Sequence, residues 1–419
     1  MTTAKNMLTP CLTGLVMSAY GLNIPRYSLL VLLLAIAVLL FAGGFKAAYN
    51  KAFLDRLLLL SLFAASYYLF ATMHDITGIK ESIFAFLAIT GSYALGFSLH
   101  PGGYREIDTT VPLVLVLMVS GYLTFSFLSV YAFFQTSGLI EIVQRSTFSY
   151  WDGSEINGPG LGANASLGMC LLPVVLFGRS AGFKGWTYML AALAISLMCV
   201  AGIYINVALQ TRTPFIAMAV SLFCGAALYL YSHRAELPRA VWRLALLGLL
   251  AGIVGYYLTS RFDLTRFNIF TRFAEEGLES GGRTEAWKTL LASLHQNLVG
   301  GRVARLEISY VHNLWLDVIW DAGIVPFIFL VAYHLKHLYC FKRVLLSKLP
   351  LPVVLMASGM GVSFFINFMQ EPTMSASVPY FAANCFFLGL LLKITENMKS
   401  RQVPGGSGQY AEAAGDGGC

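Results

Sequence analysis

The sequence predicts an all-α polytopic membrane protein with about twelve transmembrane helices and one large periplasmic loop. Three observations lead there. Of 419 residues, 57% are hydrophobic and 12% charged, against about 25% charged in soluble domains. The mean hydropathy is +0.68. The apolar runs, such as LLVLLLAIAVLLFAGG and VPLVLVLMVSGYLTFSFLSVYAFF, are continuous. A membrane β-barrel alternates apolar and polar residues over segments of about 10, whereas a continuous run satisfies its own backbone as a helix. This composition excludes a disordered chain, a coiled coil and an ordinary soluble enzyme.

Spans are expected near 8–24, 28–44, 56–72, 82–98, 111–135, 160–178, 185–205, 213–231, 240–259, 313–335, 349–368 and 377–395. The first carries a single nearby lysine and no small-residue cleavage site, so it reads as a retained helix. Gly168 and Pro173 inside the sixth are positioned to kink it. The organisation is then a nine-helix part over 1–259, a large loop over 260–312, three helices over 313–395 and a Gly-rich, disordered cytoplasmic tail over 396–419.

Orientation follows from Lys and Arg in the short loops. With the N-terminus inside, the outer short loops hold only Arg26, Lys80, Arg145 and Arg212, and the inner side holds the rest. Long loops weigh little in that rule, so the seven basic residues between Arg261 and Arg305 do not upset it. The formal charge of +7 therefore records topology, and nucleic acid is not an expected partner. The seven cysteines form no CxxC and no disulfide framework. No DxD, HExxH or Cys/His cluster supports a metal, and no GxSxG supports a serine nucleophile; no cofactor is expected.

Charge is nearly absent from the first nine spans, and Asp317 and Asp321 lie in the outer half of the tenth. Polar chemistry is thus concentrated at the outer face, in three pieces. In QTRTPFIA, Arg212 sits at the mouth of the eighth span, with Thr213 as a candidate N-cap and Pro214 in the first turn. Arg212 is either an interfacial anchor or, with the helix N-terminus, part of an anion site. In GGRTEAWK, Arg283 precedes Trp287 by one helical turn, at the start of an amphipathic helix TEAWKTLLASLHQNL that aligns Trp287, Leu290, Leu291, Leu294 and Leu298. Arg283 is either a solvated residue or a phosphate ligand; Arg302 and Arg305 add positive charge to the same loop. In SYVHNLWLDVIWDAG, His312 and Asn313 begin the tenth span, with His312, Leu316 and Trp320 on one helical face. His312 is either structural or a proton acceptor near neutral pH. Asp317 is poorly aligned to form a dyad with it.

At these pieces the chain resembles the O-antigen ligase and polymerase superfamily of bacterial envelope glycosyltransferases. The resemblance rests on Thr211-Arg212, on Gly282-Arg283 with Trp287, and on His312-Asn313 with Leu316 and Gly323, covering roughly 205–330. It implies transfer of a glycan from an undecaprenyl-diphosphate carrier to a sugar hydroxyl at the periplasmic face of the bacterial inner membrane, without a metal. Arg212 and Arg283 would hold the diphosphate and His312 would take the hydroxyl proton, with Asn313, Trp287, Arg302 and Arg305 in support. The compact 29-residue step from Arg283 to His312 favours an O-antigen polymerase, whose acceptor is lipid-linked. The QTR element favours the alternative, a ligase that uses lipid A–core. Membrane lipids and a chain-length regulator are further expected partners. A flippase for the same lipid-linked glycans is a third reading, disfavoured because charge does not line the middle of the helices.

Overall fold

The computed structural model describes residues 2–25, 27–42, 50–99, 104–137, 146–178, 186–232, 282–308 and 310–400, with 242, 245, 248–249 and 253. The protein is an all-α, multi-pass membrane protein: nine helices among the described residues are long and apolar enough to cross a bilayer. In chain order the first helices are α1 (Thr2–Gly21), α2 (Tyr27–Ala42), α3 (Lys51–Met73), α4 (Ile79–Ser98) and α5 (Tyr104–Ser137). A short hairpin follows, β1 (Ser146–Phe148) antiparallel to β2 (Glu155–Asn157), with Ser146 opposite Asn157. Then come α6 (Gly158–Met169), α7 (Leu172–Phe177), α8 (Trp186–Ala208), α9 (Thr213–Ser232) and α10 (Arg283–Ala292). The chain closes with α11 (Leu314–Ala322), α12 (Ile324–Leu345), α13 (Leu351–Gln370), α14 (Thr373–Ala376) and α15 (Val378–Ser400).

The first two expected spans are helices, α1 and α2, though neither is among those nine. The ninth, 240–259, lies almost wholly outside the described residues, as do most of the loop before Gly282 and the tail beyond Ser400. The kink expected at Gly168 and Pro173 is a full break: α6 ends at Met169 and α7 restarts at Leu172, and together they cover Gly158–Phe177. Proline has no N–H to continue the ladder, which is why the restart places Pro173 in a first turn.

Three spans form the enclosed centre. The apolar stretches of α15, α13 and the α6–α7 pair are 83%, 78% and 78% buried inside the protein, against 28% for α9 and α12, whose remaining apolar surface is left to face lipid. α15 packs on α4 at backbone contact: a Cβ on Gly96 would meet the Phe386 carbonyl, and one on Gly389 the Tyr93 carbonyl. Small residues permit this approach where no water drives helices together. Polar bonds then fix register between α6 and α13. The Ser166 and Ser363 hydroxyls lie 2.7 Å apart, and the Asn367 amide donates to Ser166 Oγ at 3.0 Å. These bonds set the start of α6 beside the end of α13.

The tenth expected span is not one helix. Gly323, at φ +89 and ψ −170, divides it into α11 and α12, and only Ile324–Leu345 has the length of a crossing. That backbone region is essentially glycine-only. The break is sealed by the preceding loop: Ile324 N–H donates to the Leu298 carbonyl at 3.0 Å, and Gly301 N–H to the Asp321 carbonyl at 3.0 Å. A Cβ on Gly323 would strike that Leu298 carbonyl. Gly323→Ala is therefore expected to cost about 1–3 kcal/mol or more, seen as a lower thermal midpoint of purified protein; an unchanged midpoint would contradict this account of the break.

The amphipathic helix is also shorter than expected. It ends at Ala292, a 3₁₀ turn follows at Leu294–Gln296, and Leu291 and Leu298 stay exposed while Ala286 and Leu290 are buried. Loops that the charge rule assigns to the outside do meet: the His74 ring, at the end of α3, is 3.2 Å from the Val299 carbonyl. A cysteine at Lys288, whose side chain is 67% exposed, should react with a membrane-impermeant maleimide in intact cells. One at Lys348, between α12 and α13, should react only after lysis, and equal labelling of both would overturn the topology.

Candidate anion site at one end of the bundle

A cavity of about 60 Å³ opens where α6, α9, α10, α11 and α13 come together, lined by Pro159, Leu209–Thr213, Arg283, His312 and Glu371. The three residues that the sequence singled out most strongly thus share one cavity with a carboxylate that it did not.

Arg212 is delivered by a pinned turn. After α8 the chain passes through Gln210 at φ +55. Thr211 N–H donates to the Asn206 carbonyl at 3.0 Å, and the Thr211 hydroxyl donates to the Asn206 side-chain carbonyl. Asn206 is itself fully buried and bonded to the Gly202 carbonyl at 2.8 Å. Thr213 is not the N-cap. The Arg212 carbonyl accepts from Phe215 and Ile216, so Arg212 holds the cap position and α9 begins at Thr213. Pro214 keeps the first turn as expected. Freed from capping, the Thr213 hydroxyl donates to Glu371 Oε1 at 3.3 Å. The positive end of the α9 dipole points at the same cavity.

Arg283 opens α10 after Gly282, whose φ of +84 suits glycine. Its Nη1 donates to Gln370 Oε1 at 2.7 Å, and its Nη2 lies 3.7 Å from Glu371 Oε1. One turn on, Trp287 acts as an anchor. Its Nε1 donates to the Val311 carbonyl at 2.7 Å, and its ring joins a small core with Leu290, Ala304, Val311 and Trp320. The Arg-x-x-x-Trp spacing therefore lashes α10 to the segment that carries His312. Trp287 does not line the cavity.

His312 is not on the α11 face with Leu316 and Trp320, as the periodicity suggested. Asn313 is the N-cap, its side chain accepting from Trp315 N–H at 3.1 Å and Leu316 N–H at 3.2 Å. His312 precedes it at φ +57, a left-handed conformation for a non-glycine residue. Such strain costs about 1–3 kcal/mol and persists where surroundings over-determine it. Here they do. The neighbours on each side, Val311 and Asn313, donate their N–H groups to Asp317 Oδ1 and Oδ2 at 2.9 and 3.2 Å. Asp317 thus shapes the backbone around His312 and is not its imidazole partner. Burial first, and then the Asp321 carboxylate, push the Asp317 carboxyl up to about 8, with the two N–H bonds pulling the other way.

The imidazole faces Glu371. His312 Nδ1 lies 3.8 Å from Glu371 Oε2, within ion-pair reach but beyond a hydrogen bond. Both atoms are buried without a hydrogen-bond partner among the described residues. An unsatisfied buried polar atom costs about 1–3 kcal/mol, so the pair is poised for a ligand or a small closure. Among the described residues, the cavity walls carry two guanidiniums and one carboxylate.

The supporting residues divide. Asn313 and Trp287 position the site. Arg302 does not line the cavity: its Nε donates to Asp321 Oδ1 at 2.7 Å, and its guanidinium stacks 4.9 Å from the Trp320 ring. It holds the loop to α11. Arg305 is exposed and does not line the cavity either. No group of three His, Cys, Asp or Glu residues among those described could hold a metal. Gln370 and Glu371 escaped the sequence reading. The signal was present, because Glu371 is the only charged residue between Lys348 and Lys393, at a point where the charge rule predicts an outer loop.

Fold and site together define a polytopic membrane protein with a cavity at one end of the bundle lined by two arginines, a histidine and a glutamate. No protein-family model matches the chain, and a search of curated proteins finds none that matches it.

Proposed function

We propose that the protein is a metal-independent glycosyltransferase that moves a glycan from an undecaprenyl-diphosphate carrier to a sugar hydroxyl at the outer, periplasmic face of a bacterial inner membrane. The observation that carries the reading is the convergence of Arg212, Arg283 and His312 on one cavity from positions 100 residues apart in the chain. Two guanidinium groups and a helix N-terminus suit the diphosphate, whose charge grows as it departs. The cavity, of about 60 Å³, exceeds the roughly 10–15 Å³ that one water needs on the same measure; carrier chain and glycan extend outside it.

In the transfer, the acceptor oxygen forms a bond to the anomeric carbon as the bond from that carbon to the diphosphate oxygen breaks. The hydroxyl proton passes to His312, and undecaprenyl diphosphate leaves with the electron pair. One displacement inverts the anomeric centre. Glu371 accepts from His312 Nδ1–H after a closure of less than 1 Å, which leaves Nε2 as the base and balances the imidazolium that forms. Glu371 also sets the Arg283 fork.

Polymerase is the favoured form, on the compact step from Arg283 to His312. The QTR element favours the second reading, ligation to lipid A–core. Complementation of a polymerase-null and a ligase-null strain tests both. Restoration of a glycan ladder in the first supports polymerase, and attachment of antigen to core in the second supports ligase. Failure in both, with the protein in the membrane, would count against the reading.

A further inference from the structure

A second cavity, of about 230 Å³, adjoins the first across the opening turn of α6: Pro159 lines one and Gly160 the other. Its remaining walls include Asn23 beyond α1, Phe125 on α5, Leu161 and Asn164 on α6, and Ser377 before α15. The same α13–α15 connection that carries Glu371 to the anion site thus carries Ser377 to this one. Among the described residues, none that lines it is charged. The polar groups are amides and a hydroxyl, set among apolar side chains, the usual make-up of a site for a neutral small molecule. Asn164 is 5% exposed, and its Oδ1 is buried with no hydrogen-bond partner among the described residues. A buried amide carbonyl without a partner calls for a donor such as a hydroxyl. The volume lies below the ~300–1,000 Å³ of drug-sized sites, so it holds one ring and not an oligosaccharide.

We infer that this cavity binds a single uncharged sugar residue of a substrate glycan, with Asn164 Oδ1 accepting from a sugar hydroxyl and the ring's C–H face on Phe125 and Leu161. The inference rests on the glycosyl-transfer reading and adds to it a sugar subsite beside the diphosphate. Two sources of that residue are chemically alike, the acceptor's terminal sugar and the donor's own glycan.

Full-length protein in nanodiscs, given lipid-linked glycan from the source cell and an isotopically distinct acceptor, separates the outcomes. Asn164→Ala should raise KM about 2- to 12-fold, the worth of one hydrogen bond. A rise for the acceptor assigns the cavity to the acceptor, and a rise for the donor assigns it to the donor. Unchanged KM for both would overturn the proposal. If Asn164→Ala does not fold, Ser377→Ala carries the same comparison. As a readout free of catalysis, saturation-transfer NMR titrations with methyl glycosides of the source cell's surface glycan should give an affinity about 2- to 12-fold weaker for the Asn164 variant. An unchanged affinity in the variant overturns the subsite while the transfer reading stands. Absence of transfer by the wild-type protein removes the reading, and the subsite with it.

Discussion

His312→Ala is expected to lower turnover by about 10²–10⁴-fold, the usual worth of a general base, with donor binding mostly retained. The backbone complicates alanine at this position, because His312 sits at φ +57, where alanine is strained. Asparagine tolerates the left-handed region far better. It keeps polarity and size roughly, and it has no basicity near neutral pH. His312→Asn is thus the cleaner test. It should fold and bind donor like the wild type, yet fall with alanine in turnover. A purely structural histidine would give the opposite pattern, with alanine impaired through loss of folded protein and asparagine close to normal. Turnover and donor binding measured on the same purified variant distinguish the two.

Arg283→Ala should have a comparable effect by a different route. The guanidinium bonds Gln370 through Nη1 and faces Glu371 through Nη2, so its removal would strip the proposed diphosphate contact and leave Glu371, 8% exposed at its side chain, without this cationic neighbour. Removing one preorganised donor to developing charge costs about 10²–10³-fold in rate, and a buried carboxylate that loses this cation adds a stability cost. Lysine should rescue poorly, since one ammonium cannot reproduce a planar fork across two partners. Glu371→Gln in the Arg283→Ala background offers a check. It removes the stranded charge and should restore folded yield without restoring transfer. Recovery of transfer to wild-type rate would mean that Arg283 acts only by neutralising Glu371.

The fold was legible where a single chemical requirement dominated. Long continuous apolar runs read as helices, and Pro173 with Gly168 signalled a kink where the chain in fact divides into α6 and α7. The break at Gly323 was passed over because Gly323 and Pro326 sit in a run apolar enough to read as one span; the glycine matters through its φ and through a loop that docks from 25 residues away. Helical periodicity misplaced His312 for a related reason. It assumes the helix begins where the apolar pattern begins, whereas Asn313 caps α11 one residue later. At the site, Arg212, Arg283 and His312 stood out because charged and titratable groups are scarce in this chain. Which arginines line the cavity was not legible. Arg302 and Arg283 look alike in sequence, and only tertiary contact puts Arg302 on Asp321 and Arg283 at the cavity. Glu371 was readable in principle as a lone acid between apolar spans, but a count restricted to Lys and Arg passes over it.

The central claim, that this cavity departs a polyprenyl diphosphate from a glycan while His312 receives the acceptor's proton, is tested most directly by one assay. Purified wild-type protein is incubated with carrier-linked glycan and acceptor, and both the released lipid diphosphate and the new glycosidic linkage are quantified. The account predicts equimolar release and linkage, with the anomeric configuration inverted relative to the donor. Movement of intact lipid-linked glycan across a vesicle membrane with no diphosphate released, or a linkage that retains the donor's configuration, would contradict it.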